Sequence, residues 1–185
     1  ETRLPAEMEA YEQICAIAHR LLRRGLSSEA IQPGRTRTAD LEWWYRQTVT
    51  DEGWTSWFHP SVAVQRRASA ASNADFSTRP GDEVIHRGDL VHVDFGIEAL
   101  GLHTDQQEHA YVTAAGEDAP PDGLVQAMAA GNAVQDALTA EFTVGRTGNE
   151  VLVAALASAK RAGLQPWIYT HPIGLHGHGA GPTIG

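Results

Sequence analysis

Two aspartates in one short stretch carry the first chemistry legible in this chain. Gly88-Asp89-Leu90-Val91-His92-Val93-Asp94-Phe95-Gly96 is an apolar run holding one carboxylate, Asp94. Leu102-His103-Thr104-Asp105 brings a second carboxylate eleven residues later. If Gly96 to Gly101 spans the turn of a hairpin, Asp94 and Asp105 face each other on neighbouring strands. Directly opposed residues have Cβ atoms roughly 4.5–5.5 Å apart. Two ionised carboxylates that close repel, so either one holds a proton or a cation sits between them. A pair of divalent ions about 3.5–4 Å apart is the arrangement in which such carboxylates serve hydrolysis. The plain alternative is a strand with two solvent-facing aspartates, although aspartate is depleted in strands.

Histidines form the second group. The chain has nine, and three fall in a glycine-rich terminal stretch, Thr170-His171-Pro172-Ile173-Gly174-Leu175-His176-Gly177-His178-Gly179. Glycine there lets backbone approach a site closely. A flexible His-Gly linker is the alternative, and the interspersed Ile173, Leu175 and Ile184 argue against it. Along the first strand Leu90, His92 and Asp94 share a face by the two-residue period. Asp105, Gln107, His109 and Tyr111 share one on the next strand. His92 is therefore a candidate neighbour of the site, with a packed strand histidine as its alternative.

These groups need a frame. Met8, Tyr11, Ile14, Cys15, Ala18, Leu21 and Leu22 recur at steps of three and four, which predicts a helix over residues 6–24 ended by Gly25. Thr38 reads as the N-cap of a second helix from Ala39 to about Thr50, whose Trp43, Trp44 and Tyr45 are expected in the core. Ser61-Val62-Ala63-Val64 reads as a strand. Residues 67–83 are polar and turn-rich, a long loop of the kind that is often functional. Strands are expected over 89–97 and 102–113. A helix should run from Pro121-Asp122 to about Thr139. Thr147-Gly148-Asn149-Glu150 matches a capping box for a further helix ending at Ala162. Gln165 to Tyr169 reads as a short extended segment.

Composition bounds the rest. At 185 residues the chain suits a single domain, and 42% hydrophobic residues supply an ordinary core. A formal charge of −9 without a basic block argues against a nucleic-acid partner. No apolar run approaches the roughly 18 residues of a membrane span, and the amphipathic N-terminus is no signal peptide. One cysteine, Cys15, excludes an intrachain disulfide and fits a reducing, cytoplasmic setting. The absence of an initiating Met leaves room for a preceding segment.

The order of elements, helix, helix, strands, a hairpin with two aspartates, two helices, then a histidine-glycine segment, resembles the pita-bread metallopeptidases. That family includes methionine aminopeptidase, Xaa-Pro aminopeptidase, prolidase and the metal-free creatinase. Gly88-Asp89-Leu90-Val91 leading to Asp94-Phe95-Gly96, the step from Asp94 to Asp105, and His171-x-x-Gly174-x-x-x-His178 carry the resemblance, from about residue 6 to 185. It implies an α+β pita-bread fold, with an antiparallel sheet flanked by helices. Asp94 would chelate one metal ion, Asp105 would bridge two and His171 would ligate the other. His178 would act as the catalytic polar partner of the substrate carbonyl. Carboxylates with one imidazole suit two divalent ions of Mn, Co, Fe or Zn. His92, Gln107 and His176 are candidates for substrate contact. The implied activity is metal-dependent hydrolysis of a peptide bond, Xaa-Pro type, or a related amide, and the implied partners are such a substrate and a second copy in a homodimer.

The sequence departs from the family pattern in three places. The two glutamate ligands of the family lie beyond the His-Gly segment, so residues 1–185 are expected to be one catalytic-type domain within a longer chain, its C-terminal part missing. The family's upstream histidine has no counterpart in Asp75-Phe76-Ser77-Thr78-Arg79, leaving His59 or His86 as substitutes. Gln107 stands where a threonine is usual, and its amide is able to hydrogen-bond a metal-bound carboxylate. Two other readings stay open: a non-catalytic or repurposed member that binds peptide or ligand, or a creatinase-like metal-free hydrolase, and a structural α/β domain with incidental histidines.

Overall fold

The structure is a computed structural model that describes residues 3–66, 81–174, 177–178 and 183–184. The chain divides into two units, residues 1–118 with 173–177 and residues 119–172 with 178–185. The loop expected over 67–83 lies outside the described residues up to position 80, and so do the Asp75–Arg79 stretch and His176. Among the described residues no helix is long and apolar enough to cross a membrane.

In the first unit α1 runs over Pro5–Gly25 and α2 over Thr38–Asp51. The strands β1 (Ser61–Gln65), β2 (Leu90–Phe95) and β5 (Gln106–Tyr111) pair antiparallel in the order β1-β2-β5. Between β2 and β5 the chain makes a small hairpin of β3 (Glu98–Ala99) and β4 (Leu102–His103). The short strands β6 (Ile173–Gly174) and β7 (Gly177–His178) come last in the chain. Helix α1 starts where proline is tolerated, since the first helical N–H has no partner to lose. It buries Ile14, Ala18, Leu21 and Leu22.

The core is the apolar face of the sheet against the two helices. Val62, Val91, Val93 and Phe95 from the strands, Leu41, Tyr45 and Val49 from α2, and the α1 stripe form one cluster with Ile85 and Ile97. Burying a side chain of this size contributes about 1.5–3 kcal/mol. The Tyr45 ring packs on Phe95 with centroids 5.1 Å apart, and its hydroxyl donates to the Leu22 carbonyl at 2.9 Å.

Three expectations fail here for identifiable reasons. Thr38 is not the N-cap; Arg37 is, and its N–H donates to the Asp40 carboxylate at 2.9 Å. The Thr38 hydroxyl instead donates to the Gly81 carbonyl and accepts from the Glu83 N–H, tying the helix start to a distant segment. Trp43 is 65% exposed, its ring edge-on to His59 at 5.3 Å, while Tyr45 takes the buried place. The strand expected over 102–113 is two pieces, β4 and β5, separated at Thr104-Asp105.

The second unit holds α3 (Asp122–Thr139) and α4 (Gly148–Arg161). The capping box forms as expected: the Glu150 carboxylate accepts from the Thr147 N–H at 2.7 Å and the Thr147 hydroxyl accepts from the Glu150 N–H at 3.3 Å. Val151, Ala155, Ile168 and Ile184 make a small core with Val134 and Leu138 of α3. Thr170 and Ile184 exchange backbone hydrogen bonds of 2.8 and 2.9 Å, which holds the two ends of the histidine-bearing segment together.

Gly25 sets the approach of α1 to α2. A Cβ there would lie 2.2 Å from the Tyr45 ring. Gly25→Ala is expected to destabilise the chain by about 1–3 kcal/mol through overpacking, read as a lower urea midpoint at unchanged slope.

Candidate metal centre

The two faces of the first unit's sheet have different chemistry. Val91, Val93 and Phe95 of β2 point to the core, so Leu90, His92 and Asp94 point the other way. The register pairs Leu90 with Tyr111, His92 with His109 and Asp94 with Gln107. These six residues share one face, as the two-residue period predicts.

Asp94 and Asp105 do not oppose each other directly. The hairpin turns at Leu100-Gly101, one residue later than the midpoint of the two aspartates, and β3 pairs Glu98 with His103 in the same register. That register sets Asp105 across from Gly96, one diagonal step from Asp94. Diagonal neighbours stand roughly 7–8 Å apart at Cα. This relieves part of the repulsion that direct opposition would impose and leaves room for cations between the carboxylates.

The backbone ahead of Asp105 is fixed by Thr104, which is 1% exposed. Its N–H donates to the Ile97 carbonyl at 2.9 Å, its hydroxyl accepts from the Ile97 N–H at 3.1 Å, and its carbonyl accepts from the Trp57 indole N–H at 2.7 Å. Trp57 also closes over two glycines. A Cβ at Gly96 would lie 2.1 Å from the Thr104 oxygen, and one at Gly177 would lie 2.2 Å from the Trp57 ring. No local signal announces this contact, because Trp57 is distant in the chain from the Thr104 carbonyl, Gly96 and Gly177. Tyr11 donates a 2.7 Å hydrogen bond to the His103 carbonyl, one residue before Thr104. Burial raises the Tyr11 phenol above its ordinary range, with the negative charge of Cys15 and of Asp105 acting in the same direction and Arg3 opposing.

His92 and Gln107 are brought together: His92 Nε2 lies 3.0 Å from Gln107 Oε1. Of His59 and His86, the substitutes for an upstream histidine, His59 has its ring beside a carboxylate, whereas the contact of His86 is made by its backbone. His59 Nε2 lies 3.4 Å from a Glu42 carboxylate oxygen, and the His86 N–H donates to Asp89 at 2.8 Å.

In the second unit His171 and His178 stand side by side, ring centroids 4.0 Å apart and planes at 56°. His171 Nδ1 lies 3.3 Å from the Pro172 carbonyl oxygen. A carbonyl accepts only, so a tautomer protonated at Nδ1 would satisfy this contact, with Nε2 as the ligating atom. Two carboxylates on one sheet face in the first unit, and an imidazole in the second, are each donors of the kind that suits divalent ions of the Mn–Zn series.

With this geometry in place, the comparisons with known proteins are specific. The model of metallopeptidase family M24 matches residues 9–185. The chain belongs to that family. No curated protein matches it significantly. Similar solved structures include an X-Pro aminopeptidase from Thermotoga maritima, 21% identical with a TM-score of 0.71, covering 98% of this chain and 49% of that one. A Xaa-Pro dipeptidase from Bacillus anthracis is 22% identical with a TM-score of 0.68, covering 97% and 48%. Prolidase from Pyrococcus furiosus is 21% identical with a TM-score of 0.65, covering 98% and 51%. The fold is the pita-bread fold of these proteins, an antiparallel sheet with helices, and the chain spans about half the length of each.

One titration distinguishes this sheet face. Lost hydration, reinforced by the neighbouring His92 and opposed by Glu108, holds the His109 imidazole below its ordinary value of 6.5. Below that value the unfolded chain takes up the proton first, so this residue's contribution to stability falls as pH drops through 6.5 and is complete above it. Proton NMR titration should place His109 below 6.5, and His92→Gln should move it upward; a His109 that titrates at or above 6.5 in the native protein contradicts the assignment.

Proposed function

We propose that this chain carries metal ligands of a hydrolase that cleaves peptide bonds of the Xaa-Pro type or a related amide. The reading rests on one observation above the others: a member of a metallopeptidase family holds two carboxylates, Asp94 and Asp105, on one face of a hairpin whose opposite face is core. Asp94, Asp105 and His171 are the ligands of this proposal, taking two divalent ions of Mn, Co, Fe or Zn. Bound there, the ions would polarise the scissile carbonyl and lower the pKa of water. The protein's own residues do the rest. Gln107 stands beside the carboxylates and holds His92 through its amide oxygen. His178 donates a hydrogen bond to the substrate carbonyl and to the oxyanion that develops from it. The His171 tautomer presents Nε2 as the ligand atom. His176 contacts substrate in this reading, and a peptide and a second copy of the chain are the implied partners in a reducing compartment.

A second reading, a family member that binds peptide or ligand without cleaving it, is favoured by the Asp75-Phe76-Ser77-Thr78-Arg79 sequence, which holds no upstream histidine. Metal content separates the two. The full-length protein should contain about two transition ions per chain by elemental analysis. Asp94→Asn and Asp105→Asn should each lose at least one ion and lower kcat/KM on an Ala-Pro dipeptide by about a hundredfold or more. Full metal content in both variants sinks the ligand assignment; full metal without cleavage of any Xaa-Pro peptide leaves the binding protein.

A further inference from the structure

The sheet face that carries Asp94 holds a second set of metal-ligating groups one register step away, of which the hydrolase reading uses His92 only as a neighbour of the substrate and His109 not at all. His92 on β2 and His109 on β5 are direct ladder partners. Their side chains therefore rise from the same face at the closest spacing a sheet offers. The rings lie 4.8 Å apart between centroids, tilted by 43°. In an ordinary packed sheet such a pair would be apolar or oppositely charged. Two imidazoles repel when protonated, and His109 is held in its neutral, ligating form at neutral pH.

We propose that His92 and His109 form a separate binding site for one divalent transition ion, of the imidazole-preferring kind: Zn²⁺, Ni²⁺ or Cu²⁺. Three features support it. The first is the pairing itself. Two metal–nitrogen bonds of about 2.0–2.1 Å require the ligating nitrogens to come within roughly 3–4 Å of each other, and opposed rings whose centroids lie 4.8 Å apart start near that spacing. The second is the tautomer. Gln107 Oε1 lies 3.0 Å from His92 Nε2, and an amide oxygen only accepts. A proton on Nε2 would satisfy this contact and leave the Nδ1 lone pair for the ion. A ligating histidine that gives its other N–H to a carbonyl is the usual support of a metal site. The third is access. His109 and Gln107 are exposed, so the ion and its remaining water ligands reach the pair from solvent.

The chemistry separates this pair from the proposed hydrolytic centre. Carboxylates suit Mn²⁺ and similar hard ions, whereas two imidazoles and no carboxylate favour the later members of the Irving–Williams order. One face would thus hold two sites of different preference, and an ion that fills one need not fill the other.

Ni²⁺ is the probe. It is titrated into the full-length protein by calorimetry, and in parallel the imidazole resonances are followed by NMR, where paramagnetic Ni²⁺ broadens the signals of its ligands. The proposal expects a binding event that broadens His92 and His109. His109→Gln and His92→Asn should each weaken it by at least about tenfold, and Gln107→Leu by about tenfold through loss of the tautomer support. Asp105→Asn should leave it within twofold. His109 is exposed, so its variant is the one expected to fold unchanged. No event on the histidine pair, or an event lost in Asp105→Asn but indifferent to His109→Gln, overturns the proposal. The Asp105 arm reports on the hydrolytic centre independently, so failure of one site is distinguishable from failure of the other.

Discussion

The antiparallel register of β2 between β1 and β5 is the constraint on which the rest of the first unit depends. Val62 faces Val93, and Asp94 faces Gln107. A slip of one residue would turn Val91, Val93 and Phe95 to the polar side and drive His92 and Asp94 into the core. Burying an unpaired carboxylate costs several kcal/mol, and losing three buried apolar side chains costs a comparable amount again. One register is therefore strongly preferred, and the same preference that builds the core displays the acidic and imidazole groups together. Core and site are two faces of one pairing.

Local fixation at Asp105 follows from a different interaction. The strand breaks at Thr104 because its side-chain hydroxyl, not its carbonyl, receives the Ile97 N–H. The freed carbonyl is taken by Trp57. All three polar groups of a residue that is almost fully buried are thereby satisfied, as buried polar groups require. The carboxylate that follows leaves the sheet from a fixed point. Glycine at Gly96 and Gly177 is what lets the indole lie so close, since a methyl group at either position would overlap neighbouring atoms. Gly96 and Gly177 are steric permissions for one large ring.

The second unit reaches a comparable result with less core. None of the residues of α3 is buried, and a handful of side chains from α4, Ile168 and Ile184 make its interior. What it fixes is the neighbourhood of two imidazoles: the Thr170–Ile184 bridge encloses the glycine-rich stretch, and His171 stacks against His178 inside it.

Much of this was legible in the amino-acid sequence. The period of apolar residues in α1, the capping box of α4, the alternation in β2 and the glycine-bounded His-x-x-Gly-x-x-x-His segment are local signals, and each arises from short-range chemistry that does not depend on the rest of the fold. The family pattern of Asp94, Asp105, His171 and His178 is legible for the same reason, as residue types at fixed spacing. What only the tertiary structure decided was which distant groups meet. Trp57 meets Thr104, Tyr11 meets the His103 carbonyl, and Thr38 is drawn to Glu83 instead of capping its own helix. The diagonal placement of the aspartates belongs here too, because a two-residue turn at Leu100-Gly101 shifted the pairing by one step from the symmetric guess. So does the pairing of His92 with His109, since sequence places a residue on a strand face but strand register chooses its partner. Local periodicity fixes where a side chain points; only long-range pairing and packing fix what it points at.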